Sequence, residues 1–259
     1  MPALPDEAAL YPWLLAGMAA VAACAFIALF FVSAAYGRHA REGWGPTVRA
    51  RLGWILMEAP SPLIFGALWW TGDPERRFSA PTLAFLALWM LHYVHRAFIY
   101  PFRVRAGRPN MPLAIAALGA TFNLFNAYLN ARWLFTLGPA REPSWLLDPR
   151  FLVGLALFAA GYFINQQSDH ILLNLRKPGE TGYRVPHGGL YRFVSCPNYL
   201  GELIEWSGFA LLTWSPGALL FVVWTAANLV PRARTHHAWY KERFPDYPPE
   251  RRAILPGLY

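Results

Sequence analysis

The sequence predicts an all-α integral membrane protein with seven transmembrane helices, its N-terminus outside and its C-terminus cytoplasmic. Three observations predict it. Of 259 residues, 56% are hydrophobic and only 15% are charged, against about 25% charged in an ordinary soluble domain. Several stretches nearly free of charge reach the roughly 20 residues that carry a helix across a ~30 Å hydrocarbon core. Lys and Arg gather in alternate connections, as retention of positive charge on the cytoplasmic side requires.

Spans are expected at Leu10–Tyr36, Leu52–Thr71, Phe78–Tyr100, Met111–Leu137, Phe151–Leu175, Tyr199–Trp214 and Gly217–Val230. The first exceeds the apolar region of a signal peptide and follows Asp6 and Glu7 instead of a basic segment, so it reads as a retained helix. The last two are short and divided by the turn signal Ser215-Pro216-Gly217; one helical hairpin is the alternative. One set of connections holds Arg38, Arg41, Arg49, Arg51, Arg103, Arg105, Arg108, Arg176, Lys177, Arg184, Arg192 and the tail from Arg232 to Arg252, while the other holds only Arg76, Arg77, Arg141 and Arg150. That bias sets the orientation. Although the net charge is +8, it is not collected into one basic face, which argues against a nucleic-acid partner. Cys24 and Cys196 have no metal-ligand or redox spacing, and no disulfide between them and no metal site is expected. The chain reads as one membrane domain over residues 1–259, a monomer surrounded by membrane lipids. The segment from Arg176 to Asn198 and the tail from Pro231 to Tyr259 are long, basic and rich in Tyr, His and Gly, and these are the expected working parts.

A carboxylate within a spanning helix is costly unless it is neutral, paired or facing a cavity, so each is a functional candidate. Glu58 is the first, followed by Pro60 and Pro62, which remove backbone donors and predict a kink; a structural hydrogen bond is the competing account. In His92-Tyr93-Val94-His95-Arg96, His92 and Arg96 share a helix face. An interfacial belt is the favoured reading for His92 and His95, and Tyr93 stands open between belt and site. On the fifth span Asn165, Asp169 and Arg176 fall on one face, which suits a polar ligand entering from the cytoplasmic mouth or, alternatively, an Asp169–Arg176 structural network. On the sixth, Asn198, Glu202 and Glu205 are similarly stacked; the two glutamates read as an acid pair or as partners of tail arginines. The tail from Arg232 continues the seventh helix, bringing His236 and Tyr240 to one face. His236 and His237 point about 100° apart and are a poor metal pair. The glycines and the basic residues Arg176, Lys177 and Arg184 between Arg176 and Tyr191 suit phosphates, but there is no Rossmann fingerprint.

These motifs together resemble the steroid 5α-reductase family of integral membrane oxidoreductases. The resemblance rests on Leu175-Arg176-Lys177-Pro178-Gly179-Glu180, Tyr183-Arg184-Val185-Pro186 with Gly188-Gly189-Leu190, Asn198-Tyr199-Leu200-Gly201-Glu202 with Glu205-Trp206, and Arg232-Ala233 with His236-His237, Tyr240, Phe244 and Tyr247-Pro248. Thinner matches lie at Glu58-Ala59-Pro60-Ser61 and around Tyr93. The resemblance implies NADPH-dependent reduction of the Δ4 double bond of a 3-oxosteroid. It implies that Glu58 and Tyr93 hydrogen-bond the 3-keto group, and that Asn165, Asp169, Arg176, Tyr183, Arg184, Asn198, Glu202, Arg232, His236 and Tyr240 line the NADPH site. Residues 1–110 would then build the substrate pocket and 151–259 the cofactor region. An apolar site favours the neutral form of a carboxyl group, so Glu58 would act as the acid at the developing enolate oxygen. One departure is Met57, where the family often has Gln; a thioether donates no hydrogen bond, which implies looser positioning of Glu58.

A reductase of another lipid double bond, an enoyl thioester or polyprenoid, is the runner-up. A membrane methyltransferase and a non-catalytic sterol-binding protein stand behind it. Alanine and arginine usage with few lysines points to a GC-rich bacterial genome and hence a bacterial inner membrane, the endoplasmic reticulum being the eukaryotic equivalent.

Overall fold

The computed structural model describes residues 6–32, 43–104, 110–176, 180 and 182–259. The end of the first expected span, Arg38, Arg41, Arg105, Arg108 and Lys177 lie outside the described residues. The described chain is mostly helical. The helices are α1 Glu7–Phe31, α2 Ala50–Glu58, α3 Pro60–Thr71, α4 Ala80–Val94, α5 Tyr100–Arg103, α6 Leu113–Arg132, α7 Pro149–Asn174, α8 Pro197–Thr213 and α9 Pro216–Arg243. They fall on the seven apolar stretches, with α2 and α3 sharing the second and α4 and α5 the third. Among the described residues, three helical stretches are long and apolar enough to cross a membrane: Glu7–Phe31, Ala50–Thr71 and Ala80–Arg103. One short antiparallel pairing of β1 (Thr47–Val48) with β2 (Met111–Pro112) ties the start of α2 to the start of α6.

Local sequence explains the breaks. Pro60 and Pro62 cannot donate to the carbonyls of Leu56 and Glu58, four residues earlier. α2 therefore ends at Glu58 and α3 begins at Pro60, with Ala59 between them still helical in φ and ψ. Between α4 and α5 the chain widens into a π-turn, His95–Ile99, a device common where a side chain must be re-aimed; Arg96 is on it. At the opposite end Thr213 closes α8, Trp214 takes a left-handed conformation (φ 47°), and Ser215 caps α9 by accepting from the Ala218 N–H. The turn signal in the sequence is this cap. α9 then runs unbroken through Pro231 to Arg243.

The centre of the molecule is aromatic. Trp89 stacks on Phe65 at 4.3 Å and meets Trp206, Phe209 and Phe221 within 5.7 Å. Around it α7 and α8 pack antiparallel and unusually close, because glycines meet at both crossings. A Cβ on Gly161 would fall 2.2 Å from the Glu205 nitrogen, one on Gly201 2.6 Å from the Asn165 nitrogen, and one on Gly208 2.4 Å from the Phe158 nitrogen. Gly154 and Gly161 are seven apart on α7, as are Gly201 and Gly208 on α8, so each pair shares one face. Such small-residue stripes let helix backbones approach in apolar surroundings. The approach also fixes the register that sets Asn165 and Asp169 against Asn198. Gly161→Ala should separate the two helices and destabilise the protein by about 1–3 kcal/mol, as overpacking does; thermal unfolding in detergent reads this, and an unchanged midpoint would contradict the packing argument.

Candidate active site

Polar side chains from α2, α4, α6, α7 and α8 converge in the interior beside this glycine seam. On α7 and α8, Asn165 Nδ2 donates to the Asn198 carbonyl at 3.0 Å, and Asn198 Nδ2 donates to Asp169 Oδ1 at 3.2 Å. The other Asp169 oxygen accepts from Arg96 Nη1 at 3.3 Å. Arg96 is the hub. Its guanidinium lies 4.8 Å over the Trp54 ring and 4.9 Å over that of Tyr100, and its carbonyl accepts from Trp54 Nε1 at 3.0 Å. The acidic side chains of Glu202, Asp169 and Glu58 lie in its surroundings. Glu58, Arg96, Asn198 and Glu202 each keep some accessible surface, whereas Tyr93, Asn165 and Asp169 are buried. The buried groups back the partly open ones.

Glu58 and Tyr93 approach this cluster from the N-terminal half. Glu58 Oε2 accepts from Asn123 Nδ2 at 3.1 Å, and Asn126 Nδ2 approaches the Tyr93 hydroxyl at 3.5 Å. Tyr93 packs between Trp89 at 4.9 Å and Trp206 at 5.6 Å.

The structure corrects two expectations. His92 is not an interfacial belt residue: it is 4% exposed, and its Nδ1 bonds Glu205 Oε1 at 2.8 Å. Glu205 is fully buried, so the pair is a structural bond between α4 and α8 and does not involve tail arginines. Arg176 does not continue the polar line of α7, because the helix ends at Asn174 and Arg176 turns to the Gly182 carbonyl at 3.0 Å. Asp169 takes Arg96 and Asn198 as its partners, so the Asp169–Arg176 network does not form.

The remaining expected site residues occupy the C-terminal face. Arg232 Nη2 donates to the Tyr199 hydroxyl at 3.1 Å, and His236 Nε2 bonds the same oxygen at 3.1 Å. Tyr240 is buried and stacks on Tyr247 at 5.3 Å. Tyr183 lies edge-on to Trp239, and Arg184 pairs with Glu180 at 2.9 Å. The loop and the tail do meet. Ser195 N donates to the Arg252 carbonyl and Cys196 N to that of Ala253, while buried Arg251 donates to the Pro186 carbonyl at 3.1 Å. Ser195 Oγ bonds His237 Nδ1 at 2.6 Å and the Tyr247 hydroxyl at 2.7 Å. His236 and His237 thus serve different neighbours, as their helical spacing requires.

Residues that the sequence reading missed are Arg96 as hub, the His92–Glu205 bond, and the asparagines of α6. The last had a legible signal. Gly119, Asn123, Asn126 and Asn130 recur at intervals of four, three and four, a single helix face.

Comparison with known proteins decides the family. A profile described as 3-oxo-5-alpha-steroid 4-dehydrogenase matches residues 109–259. The chain is 43% identical over 225 residues to 3-oxo-5-alpha-steroid 4-dehydrogenase 1 of Macaca fascicularis, covering 87% of this chain and 85% of the relative. It belongs to the steroid 5α-reductase family. A plant member, Steroid 5-alpha-reductase DET2 of Gossypium hirsutum, is 37% identical over 260 residues, 99% of this chain and 100% of its own length. The human 3-oxo-5-alpha-steroid 4-dehydrogenase 1 is 42% identical over 224 residues, 86% of each chain. The family likeness therefore spans both the helices that carry Glu58 and Tyr93 and the seam of α7 and α8.

Two predictions follow from the bonding. His92→Leu strands the Glu205 carboxyl in the core and should cost about 3–5 kcal/mol, most of it regained when Glu205→Leu is added; thermal unfolding in detergent measures both, and equal midpoints for the wild type and the single variant would contradict it. Burial, then Lys241 and Arg252, holds the His237 imidazole below its ordinary value. The docked tail thus favours neutral His237, and its contribution is full above the unfolded value of about 6.5 and lost as pH falls through the lowered one. Limited proteolysis of the tail should accelerate between pH 7 and pH 5 in the wild type and less in His237→Gln; identical profiles would count against this.

Proposed function

We propose that the protein reduces the Δ4 double bond of 3-oxo-Δ4-steroids to the 5α-reduced 3-oxosteroids, drawing on NADPH. The observation that carries this reading is the convergence of Glu58 and Tyr93 from the N-terminal half onto a seam of amide, carboxylate and guanidinium groups from the C-terminal half, in a chain of this family. The relatives are named for this activity.

The donor set suits a dinucleotide. Asn165, Asp169, Asn198 and Glu202 offer amide and carboxylate groups to a carboxamide and ribose hydroxyls. Arg232, with Tyr199, His236 and Tyr240, and the loop residues Arg176, Tyr183 and Arg184, offer cations and hydroxyls to phosphates. When bound, NADPH supplies a hydride to the β-carbon of the enone and leaves as NADP⁺. A proton reaching the α-carbon completes the saturation.

The chain's own residues supply polarisation and dryness. Glu58, as a neutral acid, and Tyr93 donate to the 3-keto oxygen and stabilise the charge that develops there. Trp89 and Trp206 wall this corner and exclude water, which strengthens both hydrogen bonds. Residues 1–110 then hold the steroid and 151–259 the cofactor.

The exposed apolar faces support seven spans, with Trp13, Phe31, Leu63 and Phe163 each more than 60% exposed. With the arginine bias of the sequence, this supports an N-terminus outside and a tail in the cytoplasm. The bundle works as a single multi-pass membrane domain and a monomer. Glu58→Gln should lower steroid-dependent NADPH oxidation by about 10²-fold, the usual cost of a lost general acid, with KM for NADPH little changed. Wild-type turnover by that variant, followed at 340 nm with testosterone, would overturn the assignment.

A further inference from the structure

The α6 asparagines dictate which hydrogens the two proposed donors can offer. Asn123 is 4% exposed, and its Nδ2 donates both to the Met57 carbonyl at 2.8 Å and to Glu58 Oε2 at 3.1 Å. A main-chain carbonyl only accepts. The Met57 contact therefore fixes the amide with nitrogen toward Glu58, because the flipped amide would set two acceptors against each other. Glu58 Oε2 is then occupied as an acceptor, and when the carboxyl is neutral its hydrogen resides on Oε1, which has no hydrogen bond among the described residues.

The same logic runs down the helix. Asn130 Nδ2 donates to the Asn126 carbonyl at 2.9 Å, which fixes its orientation, and to Asn126 Oδ1 at 3.1 Å. Asn126 is thereby held with its nitrogen toward the Tyr93 hydroxyl, 3.5 Å away. Its approach as a donor engages a lone pair of the Tyr93 oxygen and not its hydrogen, with the Ser61 side chain the other polar group beside it. Asn126 and Asn130 are 4% and 0% exposed, so water does not compete for these positions.

The thioether of Met57 takes no part. It lies against Gly119, where a Cβ would fall 2.3 Å from Met57 Cγ. Helix α6 thus seats the Met57 side chain one turn from Asn123 and provides the donor that Met57 lacks. The looser Glu58 expected from Met57 is held instead by this amide.

We propose that Asn123, with Asn126 and Asn130 behind it, is a positioning residue of the reaction, orienting the hydrogens of Glu58 Oε1 and the Tyr93 hydroxyl toward the substrate ketone. This rests on the reading of Glu58 and Tyr93 as the donor pair. Such preorganisation acts on the barrier and not on cofactor binding.

The test uses the purified full chain in detergent with NADPH and testosterone, comparing Asn123→Leu, Glu58→Gln and the double variant. Asn123→Leu should lower kcat by about 10-fold with KM for NADPH within about two-fold of the wild type, and should slow Glu58→Gln no further. Should the leucine variant fail to accumulate, Asn123→Ala is held to the same criteria. Unchanged kcat in the Asn123 variant, or a loss that multiplies onto that of Glu58→Gln, would overturn the positioning role while leaving the reading of Glu58 intact. Unimpaired Glu58→Gln would overturn that reading itself.

Discussion

A single guanidinium holds the two halves of this molecule in register. Arg96 sits within a helical stretch long and apolar enough to cross a membrane, where an isolated charge would be expensive. It is retained because Asp169 accepts from it, Glu202 and Glu58 bear on it, and the faces of Trp54 and Tyr100 cover it. Three of these groups come from the N-terminal half and two from α7 and α8. Without Arg96, Asp169 would lose its cationic partner in a low-dielectric interior. The π-turn that carries it is the local distortion that aims it there.

The second constraint is the glycine seam. Packing α7 on α8 at backbone distance leaves no room for water and brings the Asn198 carbonyl and side chain to Asn165 and Asp169. Chemistry and packing are thus one arrangement: the glycines that permit the close approach are interleaved with the polar residues that use it. The C-terminal tail adds a third layer, with Ser195, His237, Tyr247 and Arg251 tying it to the loop after α7. The charged tail is therefore fastened to the loop that leads into α8.

Much of this was legible in the chain. Charge depletion and hydropathy located the helices, since an apolar run of some 20 residues has few alternatives. The Ser215-Pro216-Gly217 break and the continuation of α9 into the tail were legible for the same local reasons. Asn165, Asp169, Asn198 and Glu202 could be picked out because polar groups in apolar helices stand out at helical spacing. What could not be read were pairings across helices. His92 looks like a belt residue by position, and only its meeting with Glu205 shows it to be core. Arg176 continues the α7 period on paper, but the helix stops two residues short of it. Asparagine is uncharged and hydropathy passes over it, so the α6 stripe escaped attention although its spacing was in plain view.

The proposed chemistry requires a steroid ring to meet Glu58. A structure of the protein with NADP⁺ and a 3-oxo-Δ4-steroid would measure that distance directly. The ketone oxygen is predicted within about 3 Å of both the Glu58 carboxyl and the Tyr93 hydroxyl, a normal hydrogen-bond length, with the nicotinamide beside Asn198 and Glu202. A steroid lodged away from that corner, for instance in the apolar groove lined by Phe30, Val230 and Arg234, would contradict it.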